Sequence, residues 1–206
     1  MHNVAITGTG VFTPTETITN DELVAAFNAY ADLWNAENAA AIAAGTVEAK
    51  THSSSDFIVA ASGIERRYVL DKEGVRDASR MFPRFTPRAD DQPGVMAEIG
   101  VDAAQKALAA AGIDAADVDL VICAASNMER AYPAIAVEIQ QLLGAVGFAF
   151  DMNVACSSAT FGIQTAADMI RSGSIRRALV INPEICSAHL EWRDRDCHFI
   201  FGDVAT

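Results

Sequence analysis

Basic residues are scarce in this 206-residue sequence, which contains 15 lysines and arginines against 27 aspartates and glutamates. The formal net charge of −12 argues against a nucleic-acid-binding protein, because contacts with phosphates need a net basic surface. It also disfavours binding to an anionic membrane surface. No apolar run approaches the roughly 18 residues of a membrane span, and the N-terminus lacks the pattern of a signal peptide. We therefore expect a cytoplasmic protein without nucleic-acid or membrane partners.

Closely spaced cysteine pairs are also missing. The four cysteines lie at least eleven residues apart and form no CxxC pair, so we expect free thiols in a reducing compartment. Potential metal ligands occur between His189 and His198, but their spacing matches no zinc pattern, and we predict no metal site. Residues 8–10, Gly-Thr-Gly, lack the third glycine of a dinucleotide-binding loop and are interpreted as a tight turn.

The sequence does contain an alternation of strand and helix patterns from residue 94 onward. Hydrophobic residues make up 51% of the chain, enough for a buried core without disulfides. Repeated strand–helix–strand units indicate an α/β fold with a mostly parallel, covered sheet. The patterns predict strands at 120–125, 148–154 and 178–181 and one beginning at Phe199, and helices at 95–111, from Pro133 to 143 and from Cys156 to Arg171.

The N-terminal part of the chain fits the same scheme. Residues 4–6 form a short apolar run that predicts a strand. Thr19, with Glu22 three residues later, forms a capping box that predicts the start of an alanine-rich helix. Two stretches, at about 28–52 and 71–93, look less regular. Because neither is long or polar enough for a linker, we interpret both as excursions from one domain.

Cys156 stands where a predicted strand ends and a predicted helix begins, between small residues. A helix N-terminus offers unpaired backbone N–H groups and a partial positive charge, which stabilise the thiolate form of a cysteine. Small neighbours let a bulky thioester approach. These features favour a nucleophile, while a cysteine packed in the core is the alternative that spacing alone leaves open.

Residues 151–162, which surround Cys156, resemble the active-site cysteine motif of the β-ketoacyl-acyl carrier protein synthase III family, within the thiolase superfamily. Four further stretches resemble motifs of that family in the same order, namely residues 4–10 with Pro14, 55–67, 131–144 and 201–203. The resemblance implies a thiolase-like α/β fold, a layered αβαβα arrangement of two similar halves. It implies that residues 1–206 form the N-terminal half and that the C-terminal half lies outside this sequence.

The same resemblance implies an acyltransferase of fatty acid biosynthesis. The family transfers an acyl group from acyl-CoA onto the cysteine, here Cys156, and condenses it with malonyl-acyl carrier protein to give β-ketoacyl-acyl carrier protein. It acts as a homodimer and takes the CoA thioester as substrate, with no cofactor. Its catalytic histidine and asparagine lie in motifs of the second half, and none of the four histidines here lies in such a motif. A non-catalytic half that binds CoA or stabilises a partner subunit is therefore the alternative.

The resemblance also points to three candidate substrate-binding residues. Phe57 and Arg195 match the tryptophan and the arginine between which the family holds the adenine of CoA, while Ala61 replaces an arginine that follows the tryptophan. Tyr132 matches an aromatic residue that reaches the acyl pocket of the partner subunit. For Tyr132, an ordinary buried aromatic is the alternative.

Overall fold

The computed structural model describes residues 3–89 and 91–206, in which helices and strands alternate. The strands are β1 (Glu16–Thr19), β2 (Arg66–Val69), β3 (Leu120–Ala124), β4 (Phe148–Met152), β5 (Ala178–Ile181), β6 (Pro183–Ile185) and β7 (Asp203–Ala205). The α-helices are α1 (Asn20–Glu37), α2 (Ala39–Ala43), α3 (Ser55–Ser62), α4 (Lys72–Arg76), α5 (Val95–Ala111), α6 (Ile135–Leu143) and α7 (Ser158–Arg171). None of the helices in the described ranges has the length and apolar character needed to cross a membrane.

The chain divides into two compact units. The first contains the described residues of Met1–Thr13, Pro87–Glu184 and Val204–Thr206, and the second contains Pro14–Thr86 and Ile185–Asp203. The range 28–52, predicted as an excursion, lies wholly in the second unit, whereas the range 71–93 contributes residues to both. Of the predicted site residues, Cys156 and Tyr132 belong to the first unit, and Phe57 and Arg195 belong to the second.

A three-stranded parallel sheet in the order β4-β3-β5 forms the centre of the first unit. All five residues of β3 are buried, which fits its uninterrupted apolar sequence and its central place in the sheet. Helix α7 packs on β3 and β5, and α5 contacts β5 and α6. Helices α5 and α6 end where predicted, at residues 111 and 143, and each is followed by a glycine in the left-handed region, Gly112 or Gly144. The parallel sheet with its connecting helices confirms the predicted α/β class.

The helix predicted to begin at Pro133 begins instead at Ile135. The carboxylate of Asp151, in β4, accepts hydrogen bonds from the backbone N–H groups of Ile135 (2.9 Å) and Ala136 (2.7 Å). The first N–H groups of a helix have no partner within the helix, so an acceptor at this place stabilises its start. A residue distant in sequence therefore decides where α6 begins.

Residues 4–6, predicted as a strand, pair with no strand in the described part of the chain. A cavity of about 290 Å³ lies between this N-terminal segment, α5, α7 and β5. The segment packs on α5 instead. A Cβ atom on Gly8 would lie 2.2 Å, and one on Gly10 would lie 2.0 Å, from a carbonyl oxygen of that helix. The two glycines allow this close approach and do not form the predicted tight turn.

The strand predicted to begin at Phe199 begins instead at Asp203, in β7, which pairs with β6. Residues 194–200 make their backbone hydrogen bonds within turns, for example from the His198 N–H to the Asp194 carbonyl oxygen (2.9 Å). The ring of Phe199 is buried in the core of the second unit. The apolar character of this stretch therefore reflects a core position and not a strand.

The second unit is built around α1. The predicted capping box is confirmed, since the Thr19 hydroxyl accepts from the Glu22 N–H (3.3 Å) and the Glu22 carboxylate accepts from the Thr19 N–H (3.0 Å). Strands β1 and β2 form an antiparallel pair next to the start of this helix. The core of the unit includes the buried side chains of Ile18, Leu23, Phe27, Ile58, Met81 and Trp192.

The range 28–52 continues α1, adds α2 and returns alongside α1. Two asparagines of α1 bind the returning segment. Asn28 exchanges a pair of hydrogen bonds with the backbone of Ser53 (3.1 and 2.8 Å), and Asn35 does the same with Lys50 (3.0 and 2.8 Å). This segment leads directly into α3, which carries Phe57.

Candidate active site

Cys156 lies in the turn between β4 and α7 in the first unit. The helix predicted to begin at Cys156 begins at Ser158, so the cysteine stands two residues before the helix. The side chain of Cys156 is exposed. The alternative that it is a cysteine packed in the core is therefore wrong.

The residue before the cysteine, Ala155, has φ = 49°, in the left-handed region that favours glycine. For an alanine this conformation costs about 1–2 kcal/mol. Backbone strain of this kind persists only where surrounding contacts hold it, and it is common at functional sites. The turn that presents the thiol is therefore strained at Ala155, and contacts of other residues in the turn must offset that strain.

Two side chains hold the turn. The Ser158 hydroxyl accepts a hydrogen bond from the Val154 N–H (2.9 Å) and donates one to the Ala155 carbonyl oxygen (2.7 Å). The Asn153 amide oxygen accepts from the Ala155 N–H (3.0 Å), and its amide nitrogen donates to the Ser126 carbonyl oxygen (2.8 Å). Neither role was predicted from the sequence. The signal that could have found them is their type, because serine and asparagine side chains readily bind nearby backbone groups.

Helix α7 lies very close to the sheet at Gly162. A Cβ atom on this residue would lie 2.8 Å from Cγ1 of Val180 and 3.1 Å from Cβ of Ala124. The contact fixes the position of the helix, and with it the backbone N–H groups and partial positive charge of its N-terminal end next to Cys156. The N-terminal end of a helix can stabilise negative charge that develops on an oxygen during a reaction.

The other three cysteines are less accessible than Cys156. Cys123 is fully buried in β3, and burial raises the pKa of its thiol above the ordinary value. Burial, together with the nearby Asp194 carboxylate, raises the pKa of Cys197 as well. Cys186 is half-buried. Accessibility therefore singles out Cys156 among the four thiols.

In the second unit, the structure brings Phe57 and Arg195 into direct contact. The guanidinium carbon of Arg195 lies 3.8 Å from the centre of the Phe57 ring. The Ser54 hydroxyl accepts from the Phe57 N–H (3.1 Å) at the start of α3, and the Nε–H of Arg195 donates to the His52 carbonyl oxygen (2.8 Å). An adenine between the two groups needs about 7 Å, twice a stacking distance. The sandwich that the resemblance implies therefore requires the Arg195 side chain to move.

The remaining predicted positions lie on the surface of their units. Tyr132 precedes α6 and is 88% exposed, so the alternative of an ordinary buried aromatic is wrong. Ala61 is exposed on α3 and offers no polar side chain where the family has an arginine.

Asp203, in the segment that resembles a family motif, is a buried carboxylate. It accepts hydrogen bonds from the N–H (2.8 Å) and the hydroxyl (2.7 Å) of Ser187 and from the Leu70 N–H (2.8 Å). Burial raises its pKa, and these three donors lower it in part. The contacts give Asp203 a structural role. In the part of the chain that the structure describes, no group of three or more acidic, histidine or cysteine side chains is placed to hold a metal ion.

The chain is similar in sequence to acyl-carrier-protein synthases. Residues 150–206 match the family described as 3-oxoacyl-[acyl-carrier-protein (ACP)] synthase III. The chain is 54% identical to the β-ketodecanoyl-[acyl-carrier-protein] synthase of Pseudomonas aeruginosa over 180 residues, 87% of this chain and 51% of that protein. It is 38% identical to a β-ketoacyl-[acyl-carrier-protein] synthase III of Allorhizobium ampelinum over 160 residues, 77% of this chain and 43% of that protein. The chain thus spans about half the length of the curated relatives it matches.

Solved structures show the same fold. The 3-oxoacyl-[acyl-carrier-protein] synthase III of Aquifex aeolicus superimposes with a TM-score of 0.71 at 26% identity, covering 97% of this chain and 51% of that one. A priming β-ketosynthase of a polyketide pathway also gives 0.71, at 24% identity and with 97% and 47% coverage, and at that identity the likeness concerns the fold alone. The thiolase-like fold expected from the resemblance is confirmed.

Proposed function

Because the chain belongs to the 3-oxoacyl-[acyl-carrier-protein] synthase III family, we propose that it provides the acyl-accepting cysteine of a condensing acyltransferase. Cys156 takes an acyl group from acyl-CoA, and condensation with malonyl-acyl carrier protein then gives β-ketoacyl-acyl carrier protein in fatty acid biosynthesis. The observation that carries this proposal is the exposed Cys156 on a strained, hydrogen-bonded turn, inside the segment that matches the family.

Acyl transfer to Cys156 proceeds through a charged intermediate. The sulfur attacks the carbonyl carbon of the thioester as a thiolate, so a carbon–sulfur bond forms and the carbonyl oxygen becomes an oxyanion. The backbone N–H of Cys156 and the positive end of the α7 dipole stabilise that charge. When the intermediate collapses, the bond to the CoA sulfur breaks, and CoA leaves with the proton that Cys156 gave up. The product is an S-acyl cysteine.

Condensation follows on the acylated cysteine. Loss of CO₂ from the malonyl group leaves a carbanion, which forms a carbon–carbon bond to the acyl carbonyl while the bond to the Cys156 sulfur breaks. The resemblance assigns this step to a histidine and an asparagine in motifs that these 206 residues do not contain. Acyl transfer is therefore the step that residues of this chain support directly.

The acyl donor follows from the Pseudomonas relative, which is named a β-ketodecanoyl synthase. A β-ketodecanoyl product, less the two-carbon unit that malonyl leaves after decarboxylation, corresponds to an octanoyl donor. We therefore take octanoyl-CoA as the donor substrate of this chain. Phe57 and Arg195 bind the adenine of this CoA thioester, and the reaction uses no cofactor in addition.

The proposed assembly is a cytoplasmic homodimer. Strand β4 lies at the edge of its three-stranded sheet, and Phe148 in that strand is 50% exposed. Val146, two residues before β4, is 75% exposed, and Tyr132, three residues before the helix α6 that packs on β4, is 88% exposed. An edge strand beside exposed apolar side chains suits pairing with a second copy, and such pairing would bring Tyr132 to the acyl site of the partner.

The proposal is tested by incubating the chain with octanoyl-CoA and measuring released CoA thiol. We expect one equivalent of thiol per chain, no release from Cys156→Ala, and normal release from the control Cys197→Ala, which removes a half-buried thiol. Release that persists in Cys156→Ala contradicts the assignment of the nucleophile.

A second candidate function is a non-catalytic half that binds CoA, for which the contact between Phe57 and Arg195 is the relevant observation. It predicts binding of octanoyl-CoA, measured by calorimetry, with no release of thiol. Thiol release from the wild-type chain contradicts it.

A further inference from the structure

His198 connects α1 to the Phe57–Arg195 pair through a series of rings in the second unit. Its imidazole is fully buried, stacks on Phe27 at 4.7 Å and meets the edge of Phe199 at 5.5 Å. Phe199 in turn packs against Phe57 at 5.8 Å with the planes nearly perpendicular. The face of Phe57 that receives Arg195 is thus supported from behind by the core.

The hydrogen bonds of His198 tie the same ring to Arg195. Its Nδ1 lies 2.7 Å from the Arg195 carbonyl oxygen and 3.2 Å from the Asp194 carbonyl oxygen. Carbonyl oxygens only accept, so Nδ1 carries the proton and His198 is the donor. Its Nε2 is buried and has no hydrogen-bond partner among the described residues. Burial lowers the pKa of His198, the two hydrogen bonds to carbonyl oxygens raise it in part, and the charges of Arg67 and Arg195 lower it. The net shift of the pKa is downward, so the ring is neutral at pH 7 with the proton on Nδ1.

We propose that His198 is a positioning residue that fixes the backbone of Arg195 opposite Phe57, so that the two groups can receive the adenine of CoA; this rests on the proposed function. Since the observed contact of 3.8 Å leaves no room for a base, the Arg195 side chain must swing away and release the His52 carbonyl oxygen. His198 holds the main chain of Arg195 during this movement. The guanidinium can therefore close over the bound base in a defined place.

The test compares two thioesters with the same acyl group. Octanoyl-CoA contains adenine, whereas octanoyl-N-acetylcysteamine has the thioester and no adenine. The rate of Cys156 acylation is measured with each, below saturation, in the wild-type chain and in two amide variants. His198→Asn places an amide N–H near the position of Nδ1, and His198→Gln places it near that of Nε2. Val75→Ala, which shortens a buried side chain in the core of the same unit, controls for lost stability.

A positioning role predicts a selective loss. We expect His198→Gln to slow acylation by octanoyl-CoA about tenfold more than acylation by the adenine-free thioester, the order expected for one hydrogen bond to a positioned group. His198→Asn should restore most of that difference. Val75→Ala should change both rates by the same factor. Equal losses with both thioesters in His198→Gln, or no loss with either, overturn the positioning role.

A second readout separates this proposal from the function on which it rests. The Nε–H of Arg195 is hydrogen-bonded to the His52 carbonyl oxygen, and NMR can follow its exchange with solvent. We expect faster exchange in His198→Gln and near wild-type exchange in His198→Asn. If neither thioester acylates the wild-type chain, the proposed function fails, and unchanged exchange in His198→Gln overturns the positioning role independently.

Discussion

Replacing Ser158 with alanine removes the hydroxyl that closes the turn around Cys156. In the native chain this hydroxyl accepts from the Val154 N–H and donates to the Ala155 carbonyl oxygen. The Ala155 oxygen keeps a second hydrogen bond, from the Ser158 backbone N–H (3.0 Å). The Val154 N–H, by contrast, loses the acceptor that the structure shows for it. The cost of the substitution therefore depends mainly on the Val154 N–H.

The magnitude follows from the exposure of that group. A buried N–H without a partner costs about 1–3 kcal/mol. Because Val154 is 38% exposed, water replaces part of the loss. We therefore expect the free energy of unfolding to fall by about 1 kcal/mol. Strain of about 1–2 kcal/mol at Ala155 then favours relaxed conformations of the turn. We expect acylation of Cys156 to slow about tenfold, equivalent to about 1.4 kcal/mol.

Urea denaturation measures the first quantity, and single-turnover release of CoA thiol measures the second. Ser157→Ala is the matched control, because Ser157 undergoes the same chemical change one residue away and its side chain makes no capping hydrogen bond. It should slow acylation far less than Ser158→Ala. Equal acylation rates in the two variants would show that the hydrogen bonds of the Ser158 hydroxyl do not position the thiol.

Two further substitutions and a change of pH test the strain at Ala155, the packing at Gly162 and the burial of His198. Ala155→Gly should raise the free energy of unfolding, measured by urea denaturation, by about 0.5–1 kcal/mol, because the relieved strain exceeds the entropic cost of glycine. A lower free energy of unfolding would count against strain at this residue. Gly162→Ala should lower the free energy of unfolding by about 1–3 kcal/mol in the same assay, because the new Cβ crowds Val180. An increase would show that α7 can shift. Burial lowers the pKa of His198, so below pH about 6.5 the folded chain binds fewer protons than the unfolded chain. The free energy of unfolding should therefore be highest above this pH and should decline below it by up to about 1.4 kcal/mol per pH unit. Urea denaturation at several pH values should show this decline in the wild-type chain and a smaller one in His198→Asn; equal declines contradict a buried neutral histidine.

Local sequence signals predicted the elements that local contacts decide. The capping box of Thr19 and Glu22 acts within one helical turn, and the structure confirms it. Gly112 and Gly144 end their helices because each adopts a left-handed conformation that most residues avoid. The unbroken apolar run of residues 120–125 predicted a strand, and β3 is buried throughout, as expected for a strand that has no polar, solvent-facing side.

The predictions that failed depend on distant residues. Helix α6 begins later than Pro133 because the carboxylate of Asp151 binds the N–H groups of its first turn. Residues 4–6 have the composition of a strand, but a strand also needs a neighbour, and a cavity separates this segment from β5. Phe199 looks like the start of a strand, whereas its ring is a core contact of a turn. These contacts join residues that are distant in sequence, so a local sequence pattern does not reveal them.

The same distinction between local and distant contacts applies to the candidate site. The junction of strand and helix predicted the place of Cys156, but nothing in the sequence indicates that Ala155 adopts a left-handed conformation, which alanine rarely does. The pairing of Phe57 with Arg195 came from the resemblance, since no spacing rule connects residues so far apart. Their direct contact and the support from His198 depend on the packing of the second unit and required the structure.

We propose that Cys156 carries the acyl group. Tandem mass spectrometry of the digested chain after incubation with octanoyl-CoA tests it most directly, because the thioester adduct can be located on one peptide. We expect octanoylation of the peptide that contains Cys156 and of no other cysteine peptide. Octanoylation at Cys186 or Cys197, or an unmodified Cys156 after CoA thiol has been released, would contradict it.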